Sequence, residues 1–110
     1  LPRARSVKQE CPMEQVTITR HGGGKAGEYH AHVAGETAIG RLTWQARGSA
    51  READHTLVPK AIGGRGVAAR LVEALVADAR EQGFTIIPTC SYVAVWFERH
   101  PAEADLLARD

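Results

Sequence analysis

HTLVPKAIGGRGVAARLVEALVADAREQ, residues 55–82, is the stretch whose reading decides the fold. His55, Thr56, Leu57 and Val58 form a short β-like run. After the glycines, Val67, Leu71, Leu75 and Ala79 make one i, i+4 row, with Ala68, Val72 and Val76 beside it. Arg70, Glu73, Arg80 and Glu81 fall away from that stripe, so residues 67–82 read as an amphipathic helix. Gly83 suits the left-handed position that ends it. A strand, a glycine-rich turn and a helix together present free backbone N–H groups at a helix start. Without side chains at Gly63, Gly64 and Gly66, an anion such as phosphate can approach that backbone.

Two common phosphate loops are excluded. A P-loop needs Lys followed by Ser or Thr after its last glycine, but Val67 and Ala68 follow Gly66. The dinucleotide fingerprint needs G-x-G-x-x-G and a later acidic residue, and neither is supplied. What remains is G-x-G-x-A over Gly64, Arg65, Gly66, Val67 and Ala68. Taken alone, that pattern fits a phosphate cradle and a simple tight turn equally well.

Working outward, Phe84, Thr85, Ile86 and Ile87 are β-formers, and Pro88 stops regular pairing. Strand 55–58 and strand 85–87, joined by the helix, are expected to run parallel with a right-handed crossover. Residues 91–99 can form a short helix capped by Ser91, and 102–108 a last one. Upstream, Val16 and Ile18 alternate with Thr17 and Thr19 until Gly22, Gly23 and Gly24 break the run. Tyr29, Ala31 and Val33 alternate with His30 and His32. Residues 34–37 suit a hairpin turn before a return strand over 38–44. Residues 45–53 are polar and read as a loop. A ligand is expected at the C-terminal ends of the parallel strands, where the glycine turn and Cys90 both lie.

Two blocks, HTLVPKAIGGRGVAARLVEAL and IIPTCSYVAVWFERHP (residues 86–101), together resemble the GNAT superfamily of N-acetyltransferases, in its smallest single-domain branch. The resemblance spans about residues 55–107. It implies an α/β fold: a mixed, mostly antiparallel sheet with one parallel, splayed strand pair and a crossover helix. It implies acetyl-CoA (coenzyme A) as cofactor and acetyl transfer to an amine, either a small molecule or a peptide. The rival readings are a CoA-binding module without catalysis, or an α/β interaction domain with no cofactor.

By the same resemblance, the backbone at Gly63, Gly64, Arg65, Gly66, Val67 and Ala68 holds the pyrophosphate. Val58 and its strand flank the pantetheine arm, and the thioester lies near residues 88–91. Departures from the family pattern are Ala61 and Gly63, in slots that often carry Gln or Arg, and Leu57, in a slot often acidic. Arg65 and Arg70 are the substitute cations, and His55, two residues before Leu57, is the substitute base. Cys90 is a nucleophilic relay, a general acid to the leaving thiolate, or a buried apolar side chain. Tyr92 competes for the acid role, and His100 orients Cys90 or caps helix carbonyls.

The remaining bounds are broad. At 110 residues, with 44% hydrophobic and 25% charged side chains, the chain suits one domain. Its formal net charge of +1 argues for neither nucleic acid nor a membrane surface as partner. Residues 1–12, with Pro2, Pro12, Arg3, Arg5 and Lys8, read as a flexible leader, and 13–110 as the domain. With no signal-like apolar segment, Cys11 and Cys90 fit reduced thiols in the cytoplasm, or in an organelle reached through the leader. His30 and His32 share a strand face, a spacing able to hold a metal, but no third ligand is evident in sequence. They read as solvent-facing, with no metal site expected.

Overall fold

The computed structural model describes residues 16–63 and 66–108. The expected leader, Cys11, Gly64 and Arg65 lie outside the described residues. Strands β1 (Val16–Gly23), β2 (Ala26–Val33), β3 (Ile39–Arg47) and β4 (Ala50–Leu57) form an antiparallel meander. A single turn of 3-10 helix, Lys60–Ile62, leads to α1 (Val67–Gln82). Strand β5 (Thr85–Ile87) then pairs parallel with β4, giving the sheet order β1-β2-β3-β4-β5. Helix α2 (Ser91–Arg99) and a 3-10 segment, Pro101–Leu106, follow. Among the described residues no helix is long and apolar enough to cross a membrane.

Alternation along the strands fixes which face packs. Tyr29, Ala31 and Val33 of β2 and Leu42 and Trp44 of β3 are buried against Val67, Leu71, Val72, Leu75 and Ala79 of α1. Each such aliphatic side chain contributes about 1.5–3 kcal/mol by leaving water. Helix α1 lies close enough that a Cβ on Gly40 would come 2.9 Å from Val67 Cγ1, so position 40 requires glycine for space. Val93, Trp96 and Phe97 of α2 extend the same core.

One buried carboxylate ties the layers together. Asp78 of α1 accepts two hydrogen bonds from Arg20 of β1, at 2.8 and 3.0 Å, and one from the Tyr29 hydroxyl at 2.7 Å. Burial raises the Asp78 pKa, but the Arg20 and Tyr29 hydrogen bonds outweigh it and hold the group below its ordinary value. Arg51 of β4 stacks between Trp44, at 3.9 Å, and Phe84, at 4.1 Å.

The structure corrects the sequence reading in four places. Residues 45–53 are not a loop: β3 runs on to Arg47, Gly48 and Ser49 turn, and β4 starts at Ala50. The polar character that suggested a loop belongs to the sheet's outer face and to Arg51, which its aromatic neighbours shelter. The parallel pair therefore joins Ala50, Arg51 and Glu52 to Thr85, Ile86 and Ile87, rather than using residues 55–58. Cys90, not Ser91, occupies the N-cap of α2. The terminal segment is a 3-10 helix over Pro101–Leu106, started by Pro101, rather than a helix over 102–108.

Candidate active site

The register of β3 against β4 slips at one point: Thr43 faces His55 while Trp44 faces Ala53, leaving Asp54 as the extra residue of a bulge. The parallel ladder stops just before it, at Glu52 and Ile87. Pro88 has no N–H to continue the ladder. The last ties across the pair are the Cys90 N–H to the Ala53 carbonyl, at 2.9 Å, and the Thr89 hydroxyl to Glu52, at 2.6 Å. From His55 to Leu57, β4 has a ladder partner in β3 only, and beyond Glu52 its β5 side carries no ladder, among the described residues. The chain after β5 reaches β4 through Cys90.

Helix α1 begins at the same end of the sheet. Its N-cap, Gly66, has φ 74°, a left-handed conformation that glycine adopts without strain. No side chain caps the helix, and its first turn carries no acidic residue. The Arg70 N–H closes onto the Gly66 carbonyl at 3.1 Å. The N–H groups of Val67, Ala68 and Ala69 therefore have no intrahelical partner. Half-exposed Arg70 adds positive charge one turn in, with Glu73 only at 3.9 Å. An uncapped start beside a cation suits a phosphate group. Gly63 is different: its φ is −68°, and an added Cβ would meet Lys60 O at an ordinary 3.5 Å. Val58 is half-buried against the core.

Cys90 sits just past the end of the parallel ladder, at the start of α2. Its Sγ–H donates to Thr56 Oγ1 at 3.4 Å. Burial pushes its pKa up, but the Thr56 hydroxyl and the backbone N–H groups of Val93, Tyr92 and Thr56 outweigh this, leaving it below the ordinary thiol value. Tyr92 is exposed, lining a cleft between α1 and α2 with Ala69, Glu73 and Trp96. Burial raises the pKa of its phenol.

His55 and His100 are not brought to Cys90. His55 is exposed and faces Thr43, and strand alternation turns it to the sheet face opposite Thr56. His100 lies at the far end of α2, about 15 Å from Cys90 along the helix axis at 1.5 Å per residue. There it bonds the Trp96 carbonyl through Nδ1 at 2.7 Å and stacks on the Trp96 ring at 4.0 Å. Of its two expected roles, that geometry is the carbonyl cap.

One residue of interest had escaped the sequence reading. Asp54 borders an open groove of about 550 Å³ on the outer face, together with His21, Glu28, Thr43 and Gln45. Its carboxylate accepts from the Thr43 hydroxyl at 2.6 Å and from Gln45 Nε2 at 2.9 Å. Burial raises its pKa, and these two bonds, with its own backbone N–H and the nearby His55, more than offset that, so it stays ionised. The only signal in sequence was a charged residue between the expected loop over 45–53 and the expected strand over 55–58.

A five-stranded, mostly antiparallel sheet, with one parallel pair beside a glycine-headed helix, defines an acyltransferase-type α/β fold. Residues 28–106 match the family model described as GCN5-related N-acetyl-transferase. The chain belongs to that family. Among solved structures it is similar to a Staphylococcus aureus protein, determined by NMR and titled a GCN5-like candidate N-acetyltransferase. The identity is 26% and the TM-score 0.64, covering 87% of this chain and 91% of that one. No curated protein matches the chain.

Proposed function

We propose that this protein binds acetyl-CoA where the β4–β5 ladder ends and transfers the acetyl group directly to an amine. One observation carries this reading: the open edge of β4, the uncapped start of α1 and the Cys90 thiol meet at one end of the sheet. The family, whose members generally use acetyl-CoA, supports it. The N–H groups of Gly66, Val67 and Ala68 donate to pyrophosphate oxygens, with Arg70 adding charge. The β4 edge from Asp54 to Leu57, with Val58 just after it, offers N–H and C=O groups to the amides of the pantetheine arm. Bound acetyl-CoA supplies a thioester carbonyl open to attack.

Ionised Asp54 attracts the acceptor ammonium into the groove, and exposed His55 beside it removes the proton that the nitrogen must lose. As the new C–N bond forms and the C–S bond breaks, Cys90 gives its proton to the departing thiolate. A second reading, CoA binding without catalysis, draws on Leu57, which is 51% exposed in a slot that the family often makes acidic.

The test is amine-dependent release of free CoA, followed by mass spectrometry of the protein. Direct transfer predicts release with a primary amine, no acetyl adduct on Cys90, and about a hundredfold slowing in Cys90→Ala with CoA binding retained. An adduct on Cys90 would replace direct transfer by a covalent relay. Binding without release would leave a CoA-binding module, and an absence of binding would remove the cofactor from the account.

A further inference from the structure

We infer that the open face of the sheet holds one divalent transition-metal ion of the zinc class, bound by His21, His30 and His32. The β1–β2 register pairs His21 with Glu28, Thr19 with His30 and Thr17 with His32, so the three imidazoles project from one face of two adjacent strands. One nitrogen from each lies within 4.8 Å of the other two. Tetrahedral zinc with bonds of about 2.1 Å needs nitrogens about 3.4 Å apart. Coordination therefore requires side-chain rotations that bring the nitrogens closer by up to about 1.4 Å.

The rings are already steered towards one point. Thr19 Oγ1 lies 2.8 Å from His21 Nε2 and 2.9 Å from His32 Nε2. A hydroxyl has one proton, so it donates to one ring and accepts from the other. The two nitrogens thus gather round an atom that a metal ion can replace as their shared partner. His30 meets Glu28 Oε1 through Nε2 at 2.7 Å, and its ring lies 4.0 Å from that of His21. With Nε2–H donated to the carboxylate, the lone pair of His30 is left on Nδ1, the carboxylate–histidine arrangement that fixes the tautomer of a metal ligand.

Three neutral imidazoles suit zinc, copper or nickel and not magnesium or calcium, which prefer oxygen. Three protein ligands also leave a fourth position for water or a donor atom of a bound molecule. Within the β2 sequence, His30 and His32 lacked a third partner. Pairing with β1 supplies His21.

The site uses none of the proposed acetyl-CoA contacts, although His21 and Glu28 also border the proposed acceptor groove, and it is tested on the full chain. Chelator-stripped protein is titrated with Zn²⁺ by calorimetry, with circular dichroism as a check on folding. The site predicts one equivalent bound in the micromolar range or tighter. Affinity should fall at least about tenfold in His21→Gln and in His32→Gln, and about ten- to a hundredfold in Glu28→Gln. Cys90→Ser should bind as the parent does. His21 is exposed, so its replacement leaves the core intact. No heat at millimolar Zn²⁺ would overturn the inference. So would unchanged affinity in folded His21→Gln and His32→Gln proteins, or loss of binding in Cys90→Ser.

Discussion

Gly66 and Cys90 are the residues on which the proposed chemistry rests, and they differ in how much the sequence alone could say. The sequence marks glycine at 66 either for close approach of an anion or for a tight turn, and the turn reading needs a positive φ. The φ of 74° bears that out. Gly63 looked alike in sequence but lies in an extended backbone region that other residues adopt. Gly66→Val is therefore expected to strain the turn by about 1–2 kcal/mol and to weaken CoA binding about tenfold. A matched Gly63→Ala should change stability far less. Calorimetry and denaturant unfolding on both variants check the contrast. Asp54 shows the limit of reading residue by residue, since only the bulge, a property of two paired strands, brings it to the groove.

At the scale of elements, helix α1 was legible to the residue, because a sixteen-residue apolar stripe ended by glycine admits few alternatives. The β3–β4 hairpin was not, because Glu52, Asp54 and the outer residues of both strands are polar and no apolar alternation marks them. Arg51 misled for a related reason: its charge suggests solvent, yet two aromatic rings cover it. The Asp78 junction binds β1 and β2 to α1, and its removal leaves Tyr29 and Arg20 facing an empty site. Asp78→Ala is expected to cost about 2 kcal/mol or more in urea unfolding. Its pH dependence has a definite sign. The folded pKa lies below the unfolded one, so the ionised group stabilises above its ordinary value, near 4, and that contribution fades as the pH falls through the depressed folded value. The stability gap between the parent and Asp78→Asn should therefore be constant near neutrality and narrow below about pH 4. A gap that holds at low pH would contradict the assigned network.

For the whole molecule, the mostly antiparallel sheet, the crossover helix and the presence of one parallel pair were foreseeable, helped by two sequence blocks that resemble one family, but the β3–β4 hairpin and the residues of the parallel pair were not. What the sequence could not supply was registration between distant strands. That registration decides where the β4–β5 ladder stops, turns His55 away from Cys90, and gathers His21 with His30 and His32. The central claim is that the place where this ladder stops is the cofactor site, with the start of α1 as its phosphate end. The most direct measurement is a titration of the ¹⁵N-labelled protein with CoA, followed through its backbone amide resonances. The account predicts the largest shifts at Gly66, Val67, Ala68 and Ala69, along β4 from Asp54 to Leu57, and at Cys90, with the β1–β2 hairpin little changed. Saturable binding that moves the hairpin amides and leaves Gly66 to Ala69 unshifted would contradict it.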